Sequence, residues 1–153
     1  MKIRKANARM RGFTLVEVLV ALVVMAVGLL GIAGLYVEGL RAGRTSIYRS
    51  AAVSLASDMA DRIRANPAGN YAGAGPGADN ACVNGGACNP NQLAQDDWFH
   101  WTRDLGRRLP SGASATVVVQ NLAPAPLTQF VIRVSWPEIG QEEPVFYELA
   151  MRL

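Results

Sequence analysis

Few residues in this chain have types and spacings that could do chemistry, and most of those do not form a catalytic set. There is one histidine, His100, and the sequence contains no Ser-His-Asp candidate set and no glycine-rich phosphate loop. A metal site is not expected either, because Cys82, Cys88 and His100 offer too few ligands. The sequence therefore predicts a structural or binding protein without a cofactor, rather than an enzyme.

Glu17 is a carboxylate at the start of a long apolar segment. Residues 18–37 carry no charge, and about twenty helical residues span roughly 30 Å, the thickness of the hydrocarbon core of a bilayer. A charge inside a membrane helix costs about 2.5–3.5 kcal/mol on insertion scales, so it requires a partner or a function. The alternative is that Glu17 snorkels to the cytoplasmic interface.

Positive charge is concentrated before this apolar segment. The first eleven residues contain five basic side chains: Lys2, Arg4, Lys5, Arg9 and Arg11. Without them, ten basic residues face twelve acidic ones, and the formal net charge changes from +3 to about −2. A basic stretch before an apolar span holds the N-terminus in the cytoplasm. The basicity therefore belongs to the N-terminal segment, and nucleic acid is not expected as a partner.

The junction between the basic and apolar segments reads Gly12-Phe13-Thr14-Leu15-Val16-Glu17. This sequence resembles the leader junction of type IV pilins. The resemblance implies a prepilin peptidase that cuts after Gly12 and methylates the new N-terminal residue, Phe13. It also implies that Glu17 pairs with the Phe13 amine of a neighbouring subunit and sets the register of assembly. An uncleaved signal anchor is the alternative, since the apolar stretch is too long for an ordinary secretory signal.

The sequence divides into four segments. Residues 1–12 are the expected leader, 13–37 the transmembrane or filament-core half of a long helix, 38–66 its amphipathic half, and 67–153 a periplasmic head. One apolar stripe follows the amphipathic half, and we predict that it packs on the head: Leu40, Ile47, Ala51, Leu55, Met59 and Ile63. Asn66-Pro67 predicts the end of the helix.

The head is predicted to contain a second helix. Asn89 and Pro90 are typical of an N-cap and a first helical residue. An apolar stripe assigns the following side chains to the core: Leu93, Ala94, Trp98, Trp101, Leu105 and Leu109. His100 lies off this stripe, which predicts an exposed side chain. Asp96-Asp97 is interpreted as a first-turn charge that complements the helix dipole.

β-Branched residues predict a strand over residues 115–120, and period-two alternation predicts two more, over 130–136 and 145–153. Their connections are short enough for antiparallel neighbours. The predicted fold class is α+β, a type IV pilin-like ladle in which the long N-terminal helix packs on a small antiparallel sheet of three or four strands.

The two cysteines lie in a loop rich in glycine, alanine and asparagine. A closely spaced pair in an exported segment is typical of a disulfide. A bridge between Cys82 and Cys88 would close a seven-residue ring and contribute about 2 kcal/mol by chain entropy.

Within the type IV pilins, the chain resembles minor pilins most specifically in three stretches, residues 18–22, 28–31 and 58–67. This resemblance implies a low-abundance subunit that contacts other minor pilins and the major pilin through its N-terminal helix. Such a subunit helps to initiate pilus assembly and supports twitching motility and adhesion. It is a single-pass inner-membrane protein with a cytoplasmic N-terminus and a periplasmic head, which then enters the extracellular pilus.

Two other functions stay open at this point. A type II secretion pseudopilin shares the leader, Glu17 and the helix. The second alternative is a minor pilin that binds DNA or a surface. Its binding site would be a small basic patch formed by Arg103, Arg107 and Arg108. DNA binding usually needs a basic stripe, whereas residues 66–153 carry a net charge of about −3.

Overall fold

The computed structural model describes residues 12–82, 85–122 and 127–153. The basic residues of the expected leader lie outside these ranges. The described residues form two compact units, one that ends at Ala42 and one that begins at Gly43. Within the described ranges, two helices and three strands follow one another in the order α1 Leu15–Ala65, α2 Pro90–Arg108, β1 Ser114–Leu122, β2 Leu127–Trp136 and β3 Val145–Arg152.

Helix α1 begins and ends close to the predicted positions. Thr14 precedes it and acts as an N-cap, because its Oγ1 accepts a hydrogen bond from the backbone N–H of Glu17 at 3.3 Å. The helix continues without interruption through Gly28, Gly31 and Gly34. It ends at Ala65, directly before Asn66-Pro67.

The predicted packing stripe on α1 is wrong at its N-terminal end. The fully buried residues of this helix are Ala52, Leu55, Ala56, Met59, Ala60 and Ile63. Leu40 and Ile47 are 59% and 66% exposed, and Tyr48 is the first residue packed against the core. A periodic pattern identifies which face of a helix is apolar, but it does not show how far along the helix another element covers that face.

The sheet has three antiparallel strands in the order β1-β2-β3. Val117 of β1 pairs with Ile132 of β2, which pairs with Leu149 of β3. Alternate residues of β2 are buried, as the period-two pattern predicted: Phe130, Ile132, Val134 and Trp136. The α+β class and the antiparallel arrangement are confirmed, with three strands.

One apolar core joins the C-terminal part of α1, helix α2 and the sheet. Trp98 and Trp101 of α2 are both buried in it, as predicted, with their rings edge to face and 5.4 Å between centroids. The indole N–H of Trp101 donates to the backbone oxygen of Leu55 at 2.9 Å. The two tryptophans therefore fix α2 against α1.

Candidate assembly interface

The N-terminal end of α1 presents the residues of the expected cleavage junction. Gly12 and Phe13 are exposed, and Glu17 lies in the first helical turn with an exposed side chain. A carboxylate in the first turn interacts favourably with the positive end of the helix dipole. Glu17 is thus compatible with the helix at this position while its side chain is available to an outside partner.

The surface of α1 after Glu17 is apolar on all sides. Large apolar side chains from Leu15 to Val37 are between 47% and 85% exposed. By length and composition, α1 is able to cross a membrane. At Gly28, Gly31 and Gly34, no side chain and no backbone beyond the adjacent turns of the same helix lie within 4 Å of the position of a Cβ atom. Small residues let neighbouring helices approach closely. This surface requires lipid or other helices to cover it.

The C-terminal end of α1 carries a hydrogen-bonded cluster that the sequence did not reveal. Arg62 donates to Asp58 at 3.1 Å and to Asp97 of α2 at 2.8 Å. The second carboxylate oxygen of Asp97 accepts a hydrogen bond from the hydroxyl of Tyr71 at 2.6 Å. Asn66, which is buried, donates to Tyr71 Oη at 3.2 Å and to the backbone oxygen of Pro90 at 2.8 Å. We call these five side chains the Arg62 cluster.

Burial and the neighbouring charges change the ionisation of two members of the Arg62 cluster. Burial alone would lower the pKa of Arg62, but hydrogen bonds and charge attraction from Asp58 and Asp97 outweigh it and raise the pKa. Burial raises the pKa of Tyr71, and its hydrogen bond to Asp97 raises it further. Both groups therefore keep their protons at neutral pH, and the cluster is a structural connection between α1, the following loop and α2.

The interpretation of Asp96-Asp97 as a first-turn charge pair is wrong. The first turn of α2 contains no acidic residue, and its start is stabilised by a capping box between Asn89 and Gln92. Asp97 instead binds Arg62, and Asp96 is buried. The spacing of charges within one helix could not show which distant residues would face them.

Two protein-family models match consecutive parts of the chain. Residues 7–33 match the prokaryotic N-terminal methylation motif. Residues 34–99 match a family described as the type IV pilin Tt1218. The two matches together cover residues 7–99, more than half of the 153 residues.

The chain belongs to the type IV pilin family. This is a structural, non-enzymatic family, as the lack of a catalytic set predicted. A pilin with a prepilin leader is processed by a prepilin peptidase and assembles with other pilins. Its apolar N-terminal helix and methylation motif indicate membrane anchoring and incorporation into a pilus. Neither a curated protein nor a solved structure matches the chain significantly.

The head of this pilin contains the predicted disulfide. Cys82 and Cys88 are bonded, with 5.8 Å between their Cα atoms. The match to the pilin family includes this bond and the whole Arg62 cluster, and it ends within α2. The polar residues at the end of α1 therefore lie in the matched part of the pilin, whereas the three strands lie beyond it.

The three arginines considered as a basic patch already have partners in the pilin head. Arg107 pairs with Asp104 at 3.4 Å, and Arg108 donates to the hydroxyl of Ser54 at 3.3 Å. The guanidinium of Arg103 lies over the ring of Phe99, 5.7 Å from its centroid. Only the pair with Asp104 offsets a positive charge, because the Ser54 hydroxyl and the Phe99 ring are neutral.

Proposed function

We propose that this pilin is a minor subunit of a type IV pilus, of the kind called the type IV pilus modification protein, PilV. The proposal rests on its resemblance to that protein over residues 18–22, 28–31 and 58–67, within a chain that belongs to the pilin family. A minor pilin of this kind primes pilus assembly together with other minor pilins and the major pilin. It thereby supports twitching motility and adhesion.

Cleavage after Gly12 is the step that makes the subunit competent to assemble. It creates an α-amino group on Phe13, which the same peptidase methylates. An α-amino group has a pKa near 8 and is largely protonated at neutral pH. The exposed carboxylate of Glu17 then pairs with the Phe13 amine of a neighbouring subunit. This contact satisfies a charge that would be costly within the membrane, and it sets the register between subunits.

The proposed orientation places the N-terminus in the cytoplasm and the head in the periplasm. Five basic residues before the apolar segment support a cytoplasmic N-terminus. The Cys82–Cys88 bond supports an oxidising compartment for the head, since disulfides persist in the periplasm and are rare in the cytoplasm. The inner membrane holds the subunit through α1 until it enters the extracellular pilus.

The observation that carries this proposal is the exposed Glu17 at the head of an apolar helix, directly after a prepilin junction. A complementation experiment tests it. The gene is deleted in a strain that cannot retract its pili, and surface pili are counted after expression of the wild type, Glu17→Gln or Glu38→Gln. Glu38 is the matched control, because it is an exposed glutamate of the same helix that pairs with Arg41.

We expect the deletion to reduce the number of surface pili several-fold. The wild type and Glu38→Gln should restore them, while Glu17→Gln should reach the membrane without restoring piliation or entering sheared pili. Full restoration by Glu17→Gln would remove the assembly role from Glu17. Unchanged piliation in the deletion, together with lost protein secretion, would identify a pseudopilin instead.

A further inference from the structure

Three side chains with metal-binding atoms meet beside the disulfide loop. Asp79, Asp96 and His100 each place one such atom within 4.8 Å of those of the other two. His100 Nε2 lies 3.6 Å from Asp96 Oδ2. Asp79 comes from the loop, and the other two occupy consecutive turns of α2. From the sequence, His100 is grouped only with the two cysteines as a possible metal ligand. The sulfur atoms of these cysteines are bonded to each other.

The carboxylate of Asp96 is buried and only half satisfied. Its side chain is 1% exposed, and its Oδ1 accepts a hydrogen bond from the backbone N–H of Asn80 at 2.7 Å. Among the described residues, no hydrogen-bond donor reaches Oδ2, the oxygen that faces His100. Buried charges in proteins are normally paired or bound to a metal, so this oxygen favours a cationic partner.

The loop is held against α2 in a way that fixes Asp79 over this oxygen. The backbone N–H of Ala78 donates to Gln95 O at 3.1 Å, and the side chain of Asn80 donates to Gln92 O at 2.9 Å. Gly77 permits this approach, because it has a φ of +75° and a Cβ atom there would collide with the backbone oxygen of Gln95. The position of Asp79 is therefore part of the fold rather than an accident of a surface loop.

We propose that Asp79, Asp96 and His100 form a binding site for a divalent transition-metal cation of the zinc type. Zinc accepts imidazole nitrogen and carboxylate oxygen together, whereas calcium and magnesium prefer sites made of oxygen alone. Asp79 is exposed and the His100 side chain is 34% exposed, so the ion can enter from solvent and water can complete its coordination. The bound ion supplies the partner that Asp96 Oδ2 lacks, and it joins the loop to α2.

Zinc binding to the full-length protein in detergent micelles tests this site. The protein carries no histidine tag, keeps its disulfide and is stripped with a chelator before titration calorimetry and thermal unfolding. We expect one zinc ion per chain with a Kd of about 10 μM or below. Zinc at about one hundred times the Kd should raise the Tm by roughly 5–10 °C. Calcium and magnesium at the same concentration should leave the Tm unchanged.

Three variants and one control assign the binding to these residues. Asp79→Asn and Asp96→Asn keep the acceptor for the backbone hydrogen bond that each carboxylate makes, and His100→Gln removes the imidazole. Each should weaken zinc binding at least about tenfold. Asp104→Asn, an exposed carboxylate further along α2, should bind zinc like the wild type.

Failure of the wild type to bind zinc would overturn the proposal and leave His100 as an ion-pair partner of Asp96. Equal zinc affinity in the wild type and in Asp79→Asn would also overturn it, by showing that zinc binds elsewhere. Asp79 is exposed, so this variant keeps the test valid even if the buried Asp96→Asn variant fails to fold.

Discussion

Arg62 connects two distant segments of the chain through a partly buried charge. Its guanidinium holds Asp58 on its own helix and Asp97 on α2. Removal of one partner of such a pair leaves the other charge uncompensated. The resulting loss of stability is larger than the small stabilisation that an exposed ion pair provides. The Arg62 cluster was not predictable, because the sequence reveals four polar residue types but not that Tyr71 and Asp97 face the end of α1.

Tyr71→Phe tests the Arg62 cluster through both stability and pH dependence. It deletes the hydrogen bond to Asp97, and we expect a loss of about 1.5–3 kcal/mol in the free energy of unfolding at pH 7. The folded-state pKa of Tyr71 lies above its unfolded value of about 10. Between these values the folded state keeps the proton that the unfolded state has lost. The contribution of Tyr71 to the free energy of unfolding is therefore complete below about pH 10 and falls as the pH rises further.

Urea unfolding of the full chain in micelles at several pH values between 8 and 11 measures this effect. The Tyr71→Phe variant should lose less stability than the wild type over the alkaline part of the range. Tyr36→Phe, at an exposed position, should leave the free energy of unfolding at pH 7 unchanged. If the free energy of unfolding fell equally with alkaline pH in Tyr71→Phe and in the wild type, the proposed role of Tyr71 would be wrong.

At the scale of elements, the strands and helices follow from local patterns, and their contacts follow only in part. The start and end of α2 match the capping residue and prolines that predicted them, and β3 matches its alternation. The end of β1 at Leu122 and the start of β2 at Leu127 both lie inside the connection that was predicted between these strands. Helix α1 was predicted equally well, except for the extent of its packed face. Coverage depends on where the head ends along the helix, which is a property of the folded molecule and not of the helix sequence.

Two isoleucines of α1 provide a matched test of where packing begins. Ile63 is fully buried, whereas Ile47 is mostly exposed. Ile63→Ala should lower the free energy of unfolding by about 2–5 kcal/mol, because it leaves a cavity in the core. Ile47→Ala should change it by less than about 0.5 kcal/mol. Chemical unfolding of the full chain, followed by the fluorescence of the buried tryptophans, measures both. Equal losses in the two variants would show that the head covers the helix as far as Ile47.

At the scale of the whole molecule, burial is divided unequally along the chain. The buried apolar residues of the described chain all lie between Ala52 and Met151. The apolar residues from Phe13 to Val37 remain exposed. Residues 43–153 therefore have a core of their own, and the apolar start of α1 depends on lipid or neighbouring subunits. This division was predictable from the sequence, because a charge-free segment of this length is visible without knowledge of any tertiary contact.

The leader carries the basic residues that determine the net charge of the whole molecule. Its five basic residues produce the positive charge of the chain, and their proposed removal leaves a mature subunit with a net charge of about −2. The same cut creates the amine that would pair with Glu17. The proposed cut would thereby link removal of the leader and assembly to a single peptide bond, the one after Gly12.

The most direct test of the account is the mass of the N-terminal peptide of this protein, recovered from sheared and purified pili. We predict a peptide that begins at Phe13 and carries one added methyl group on its amine. Recovery from pili of a chain that still begins at Met1 would contradict the proposed order of cleavage before assembly. Absence of the protein from pili, with the chain found only in the membrane, would contradict the assignment as a pilus subunit.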